Sequence, residues 1–257
     1  TRYKFNDYAS YTYKTTDNGL TWTSINKGVK QDDFIKVIRE DKKNKNILYA
    51  GSERGFYISN DAGASWSTFQ LNLPIVPVTD LIIRDNDLVA ATAGRAFWIL
   101  DDLSAVQQNE QFNNFSSVKL ITPKPSYKYG AGNGLPEKNE EGQNAPDGVI
   151  LDYFLPENLS EKDTVTLEIM DKKGAIIRTY SNIKDGAYKK YPGGPAPETL
   201  LSSIKGHNRF LWNFRTNSEQ PDVNGVYVLG TYAGYAVAPG DYKATITLKV
   251  FNTTNSQ

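Results

Sequence analysis

Apolar residues in this chain alternate with polar ones over short runs, and helical spacing is nearly missing, which predicts strands that bury one face. Phe34-Ile35-Lys36-Val37-Ile38, Ile47-Leu48-Tyr49-Ala50, Gly55-Phe56-Tyr57-Ile58 and Ser65 to Phe69 form one complete set of four, within about 44 residues. The layout returns in Asp80-Leu81-Ile82-Ile83, Leu88-Val89-Ala90-Ala91 and Arg95-Ala96-Phe97-Trp98-Ile99, and Arg54 to Ile58 aligns with Arg95 to Ile99. There the fourth strand is missing. Asp101-Asp102 followed by Leu103 to Gln108 predicts a helical turn with an Asp cap, and Val118-Lys119-Leu120-Ile121 is expected to supply the missing strand. Ahead of the complete set, Tyr11-Thr12-Tyr13-Lys14 and Trp22-Thr23-Ser24-Ile25 predict the last two strands of a further unit.

Beyond Gly148 the alternation becomes cleaner. Val149 to Phe154 opens the set. Val165, Leu167 and Ile169 then alternate with Thr166 and Glu168, and the turn Asp171-Lys172-Lys173-Gly174 leads into Ala175 to Tyr180. Phe210, Trp212 and Phe214 share one face, and Tyr242, Ala244, Ile246, Leu248 and Val250 point inward in the last strand. Strands of this kind, separated by turn signals, predict an antiparallel β-sandwich. Between the two halves, Pro123, Pro125, Pro136 and Pro146, four glycines and the charged run Glu137 to Glu141 mark a linker. The chain is thus read as all-β, with repeat units over 1–121, a linker over 122–147 and a sandwich over 148–252.

One octapeptide occurs twice. Thr15 to Trp22 (TTDNGLTW) and Ser59 to Trp66 (SNDAGASW) share Ser/Thr-x-Asp-x-Gly-x-Ser/Thr-Trp, each after a short aromatic strand. An Asp side chain can bond amides two or three residues on, and Gly accepts the positive φ of a tight corner. The pattern resembles the Asp-box of β-propellers in sialidases, sortilin-like receptors and bacterial BNR-repeat proteins. That resemblance implies that Thr15, Asp17, Gly19, Trp22, Ser59, Asp61, Gly63 and Trp66 are structural, at the turn between the third and fourth strands of a blade. On this reading residues 1–121 hold about two and a half blades, fewer than the four a propeller needs, so the polypeptide is expected to continue upstream, the rest of the propeller being its partner. GVILDYFLP, GHNRFLWNFR and VAPGDYKATITL are similar to the Ig-like (FlgD-like) module that follows such propellers in large bacterial proteins often labelled glycosyl hydrolases. Members of that family usually continue past the point matching Gln257, so truncation is expected there too.

Composition narrows the function classes. The 257 residues carry 29 basic and 29 acidic side chains with no concentrated basic stretch, which argues against nucleic-acid and anionic-membrane partners. Apolar runs are too short to span a bilayer. Cysteine is absent, so disulfides and thiol chemistry are excluded. No signal peptide opens the chain, which begins with Thr, so a removed leader or an interior piece is expected. With the resemblance, this implies an exported bacterial protein, extracellular, surface-bound or periplasmic.

Glycoside hydrolysis needs two facing carboxylates about 5 to 10 Å apart. The neighbouring acids Asp32-Asp33, Glu40-Asp41, Asp101-Asp102 and Glu140-Glu141 read as surface or capping groups instead. Arg54 and Arg95 sit at equivalent repeat positions and are candidate ligand contacts. The lone histidine, His207, excludes a zinc site of the usual ligand set and reads as the start of a strand. Asp85-Asn86-Asp87 offers calcium-type oxygens but reads as a hairpin tip. Gly130 to Gly134 (GAGNG) lacks the strand and helix of a dinucleotide site. No metal or cofactor is predicted.

Tyr127, Tyr129, Tyr188 and Tyr191 are candidate stacking residues for sugars or a protein groove, or else cover the joint between the halves. Asn114, Asn158 and Asn252 begin sequons relevant only to a eukaryotic secretory route. Asp163-Thr164-Val165 resembles a short bacterial O-glycosylation signal. The function expected is a non-catalytic scaffold or a protein- or glycan-recognition segment. The alternative is support for a sialidase-like glycoside hydrolase whose active site lies in other blades. A sortilin-like receptor is disfavoured, because cysteine-rich modules would follow its propeller.

Overall fold

The computed structural model describes residues 2–108, 117–128, 147–186, 188, 190–192, 196–217 and 232–251. The chain is nearly all-β and divides into two compact units, Thr1–Gln111 and Phe112–Gln257.

The first unit is a succession of small antiparallel meanders. After a 3-10 turn at Tyr3–Phe5, β1 (Tyr13–Lys14) pairs with β2 (Thr23–Ser24). Then β3 (Ile35–Glu40), β4 (Leu48–Ser52), β5 (Phe56–Ser59) and β6 (Ser67–Thr68) form a four-stranded sheet in chain order. Next come β7 (Val78–Arg84), β8 (Asp87–Thr92) and β9 (Phe97–Leu100), with a helical turn α1 at Ser104–Gln107. The four-stranded sheet is buried on both faces because its side chains alternate between two different neighbours. Ala50, Tyr57 and Trp66 form the near face, covered by Ile25 and Val29 of the β1–β2 segment. Val37, Tyr49, Phe56 and Ile58 form the far face, packed on Val78, Leu81, Ile83, Leu88 and Ala90 of the next meander. At Gly28 the backbone passes so close to Trp66 that any Cβ would run into the Trp66 carbonyl, and φ is +93° there.

The second unit stacks two three-stranded sheets, β10–β11–β14 and β13–β12–β15, over one core. The strands are β10 (Lys119–Leu120), β11 (Val149–Leu155), β12 (Thr164–Met170), β13 (Ile176–Ser181), β14 (Gly206–Trp212) and β15 (Lys243–Lys249). Leu151, Tyr153 and Leu155 of one sheet meet Val165, Leu167 and Ile169 of the other. Phe210, Trp212 and Phe214 are all buried, as the alternation predicts.

Several expectations need correction. Residues 118–121 do not complete the third meander: Lys119 pairs with Phe154 and Leu120 with Tyr153, so this strand belongs to the second unit. A two-residue strand carries too little local pattern to name its partner, which long-range pairing decides. Val250, expected inside, lies past the end of β15 and is exposed. The acid pairs are not uniformly surface groups. Asp33 and Asp41 are buried at 3% and 1% exposure, each bonded to a tyrosine hydroxyl, Tyr57 at 2.8 Å and Tyr49 at 3.1 Å respectively. The helical turn after Asp102 does form, and the Asp102 carboxylate accepts the Ser104 amide at 3.0 Å, though the cap position itself is Leu103.

Candidate functional site

The two octapeptide corners have the same hydrogen-bond geometry. Thr15 Oγ1 donates to Asp17 Oδ1 at 2.8 Å and accepts the Gly19 amide at 2.8 Å; Ser59 Oγ does the same with Asp61 (2.7 Å) and Gly63 (2.8 Å). Asp17 then accepts the amide and hydroxyl of Thr21 at 2.9 and 2.6 Å, and Asp61 those of Ser65 at 2.8 and 2.5 Å. The backbone matches as well: Asn18 and Gly19 have φ of 56° and 93°, Ala62 and Gly63 of 55° and 92°. Each Asp thus accepts three hydrogen bonds within its own corner.

The closing tryptophans differ. The Trp66 indole donates to the Ile25 carbonyl of the preceding meander at 2.8 Å and is 4% exposed, whereas Trp22 donates to Gly19 of its own corner at 3.1 Å and is 61% exposed.

These bonds have an electrostatic consequence. The Thr21 hydroxyl and amide, with the Thr15 hydroxyl, hold the Asp17 pKa down to about 2. Burial of Asp61 works the other way, but the Ser65 hydroxyl and amide and the Ser59 hydroxyl outweigh it, so its pKa is also lowered. A carboxylate whose folded pKa is depressed adds stability above its unfolded pKa, about 3.9, and that stability is lost as pH falls through the folded value. The urea midpoint of the protein should therefore fall between about pH 4 and pH 2, and Asp17→Asn should flatten that fall while lowering stability at pH 7. A midpoint in Asp17→Asn with the same acid slope as wild type would contradict this assignment.

Of the other candidates, Arg54 is exposed and paired with Asp32 at 3.2 Å, and Arg95 is exposed, its carbonyl accepting the Trp98 indole at 2.9 Å. Tyr188 and Tyr191 are half-buried, and the Tyr191 hydroxyl lies 3.2 Å from that of Tyr232. Tyr129, residues 130–134, Glu140-Glu141, Asn114 and Asn252 lie outside the described residues. His207 is the second residue of β14, with Nε2 3.0 Å from Asp152 Oδ1. Asp152, almost fully buried, also receives Arg209 Nε at 2.9 Å. Burial would raise the Asp152 pKa, but bonds from His207 and Arg209 prevail and lower it. Sequence alternation gave no hint of this cluster, because a charged residue at an outward strand position reads as solvated.

Tyr127 is the candidate that lines a large cavity. It stands on the rim of a cavity of about 890 Å³ in the second unit. The extended segment 120–128 forms one wall and residues 237–244 the other, with Val149, Leu151, Ile169, Trp212 and Phe214 beneath. The Lys128 ammonium donates to the Val237 carbonyl at 2.8 Å, tying the walls together. The volume falls in the range of small-ligand sites, about 300 to 1,000 Å³, and the lining is mostly apolar with a few polar groups. Among the described lining residues Asp241 is the one carboxylate. Trp212 and Tyr242 escaped sequence reasoning as lining groups, since their strand patterns mark them only as inward.

Among the described residues no group of three or more His, Cys, Asp or Glu side chains is placed to hold a metal ion, and no helix is long and apolar enough to cross a membrane. No protein-family model matches this chain, and no curated protein is significantly similar to it.

Proposed function

We propose that this chain is a non-catalytic recognition segment: repeat units of an exported bacterial propeller that act as scaffold, followed by an Ig-like module that binds a glycan or a protein segment. The observation that carries this reading is the cavity at Tyr127, whose walls supply an aromatic rim, an apolar floor and lysine ammonium groups, with Asp241 the one carboxylate among the described lining residues. A glycosidase of the usual kind needs a second, facing carboxylate. A ligand here would stack on Tyr127 and accept hydrogen bonds from the lysines. Aromatic stacking and a polar handle suit sugars and extended peptides alike.

Calorimetric titration with sialylated and β-glucan oligosaccharides and with peptide pools tests this. At least one ligand class should bind without turnover, and Tyr127→Ala should weaken binding about tenfold, equal to about 1.4 kcal/mol. Because Tyr127 is 83% exposed, the same substitution should leave the unfolding midpoint unchanged. Release of reducing sugar by the intact protein would favour the rival reading, a part of a glycoside hydrolase. Binding unaffected by Tyr127→Ala would remove the cavity from the account.

A further inference from the structure

The floor of the cavity in the second unit has no unspent side-chain hydrogen-bond donor among the described residues. Val149, Leu151, Ile169 and Phe214 are apolar, and the Trp212 indole already donates to the Arg215 carbonyl at 2.9 Å. On the wall above, the Tyr242 hydroxyl likewise donates to the Ala238 carbonyl at 2.7 Å. Floor backbone is committed to the sheets, where Val149 pairs with Trp212 and Ile169 with Ala244. A polar group that reached this depth would shed its water and find little to replace it, which is unfavourable for every donor or acceptor so buried. A sugar ring, with hydroxyls around its edge, is poorly matched to such a floor. A large apolar side chain matches it.

The rim is different in kind. Lys124, Lys128 and Lys243 line the cavity against Asp241 alone among the described residues, although the whole chain balances 29 basic with 29 acidic side chains. The Val237 carbonyl holds the Lys128 ammonium at 2.8 Å, and that bond uses one of three N–H donors, leaving two for a ligand. Both walls are continuous chain, residues 120–128 and 237–244, a setting that suits a partner which is itself a stretch of extended chain.

We infer that the cavity takes an extended protein segment in which a large apolar side chain, seated on the floor, is flanked by acidic residues that pair with the rim lysines. The inference rests on the recognition reading above and narrows its ligand to a peptide of that chemistry. Apolar burial supplies the anchor, and charge complementarity at the rim selects the flanks.

Calorimetric titration of the intact chain with a series of synthetic peptides tests it. The parent is acetyl-Gly-Asp-Asp-Phe-Asp-Asp-Gly-amide; the others carry Asn for every Asp, Lys for every Asp, or Ser for Phe. The parent should bind, and each replacement should weaken binding at least about tenfold. Raising the salt from about 0.05 M to about 0.5 M should weaken the parent as well, because its ion pairs lie at an exposed rim. Lys124→Ala combined with Lys128→Gln should lower the affinity for the parent about tenfold and remove most of its salt dependence. The peptide replacements leave the protein untouched, so they decide the matter even where the double variant fails to fold. An Asn or Ser peptide that binds as tightly as the parent would overturn the inference. A parent that does not bind, beside a sialylated or β-glucan oligosaccharide that binds through Tyr127, would overturn it and leave the recognition reading standing. Absence of binding by peptides and oligosaccharides alike would overturn both.

Discussion

Trp66→Ala should cost about 3 to 5 kcal/mol of unfolding free energy, while Trp22→Ala should cost under about 1 kcal/mol, although both residues close the same octapeptide. Trp66 fills the space between Ala50, Tyr57 and Ile25, and its indole bonds a backbone carbonyl on a different meander. Removing it opens a cavity at the joint of two sheets and orphans the Ile25 carbonyl. Trp22 bonds only within its own corner and faces solvent over most of its surface. Trp66→Phe separates the two contributions, since it keeps most of the ring area and deletes one hydrogen bond worth about 1 kcal/mol. Urea denaturation at pH 7 gives all three numbers. Equal losses at the two tryptophans would mean that Trp22 is covered as well.

The second large effect is expected at Asp41. Its carboxylate, 1% exposed as a residue, accepts the amides of Lys43 and Asn44 at 2.8 and 2.9 Å, the Tyr49 hydroxyl at 3.1 Å and the Gln107 side-chain amide at 3.0 Å. It thus holds the β3–β4 turn, the middle of β4 and helical turn α1 at one point. Asp41→Ala strands these donors, and buried donors without partners cost about 1 to 3 kcal/mol each, so a loss of about 3 kcal/mol is expected. The Tyr49 hydroxyl is the worst placed of them: burial, and then the Asp41 charge, push its pKa well above the ordinary tyrosine range. Tyr49→Phe removes that stranded group. The double variant should therefore lose less than the sum of the two single variants, by about 0.5 to 3 kcal/mol in a double-mutant cycle. Strict additivity would show that the two side chains do not share the bond.

These expectations separate what is written locally from what is not. The corners at Thr15 and Ser59 were legible because every partner of Asp17 and Asp61 lies within four residues, so the bonds form from the octapeptide alone. The alternating strands β12, β14 and β15 were legible for a similar reason: a period of two with one buried face leaves a single register that keeps apolar groups inside. Other features depended on distant segments. Asp152 lies on the outward side of β11, yet it is buried and paired because β14 brings His207 and Arg209 beside it. The short strand at Lys119 had no pattern of its own and joined the unit that offered it an edge. The cavity is built from segments far apart in the chain, so its aromatic lining could not be foreseen as a group.

By itself, then, the sequence determined an all-β chain, two repeated aspartate corners, though with the bonded amide four residues on rather than two or three, and the inward faces of the longer strands. All of these follow from interactions spanning a few residues or from a strict two-residue period. Tertiary structure alone decided that Trp66 is buried and Trp22 bare, that Phe56 is core and Phe97 surface, and that Tyr127 overlooks a cavity. Burial is a property of the neighbour rather than of the motif: the same side chain in the same local geometry is stabilising core or open surface according to whether another sheet lies against it.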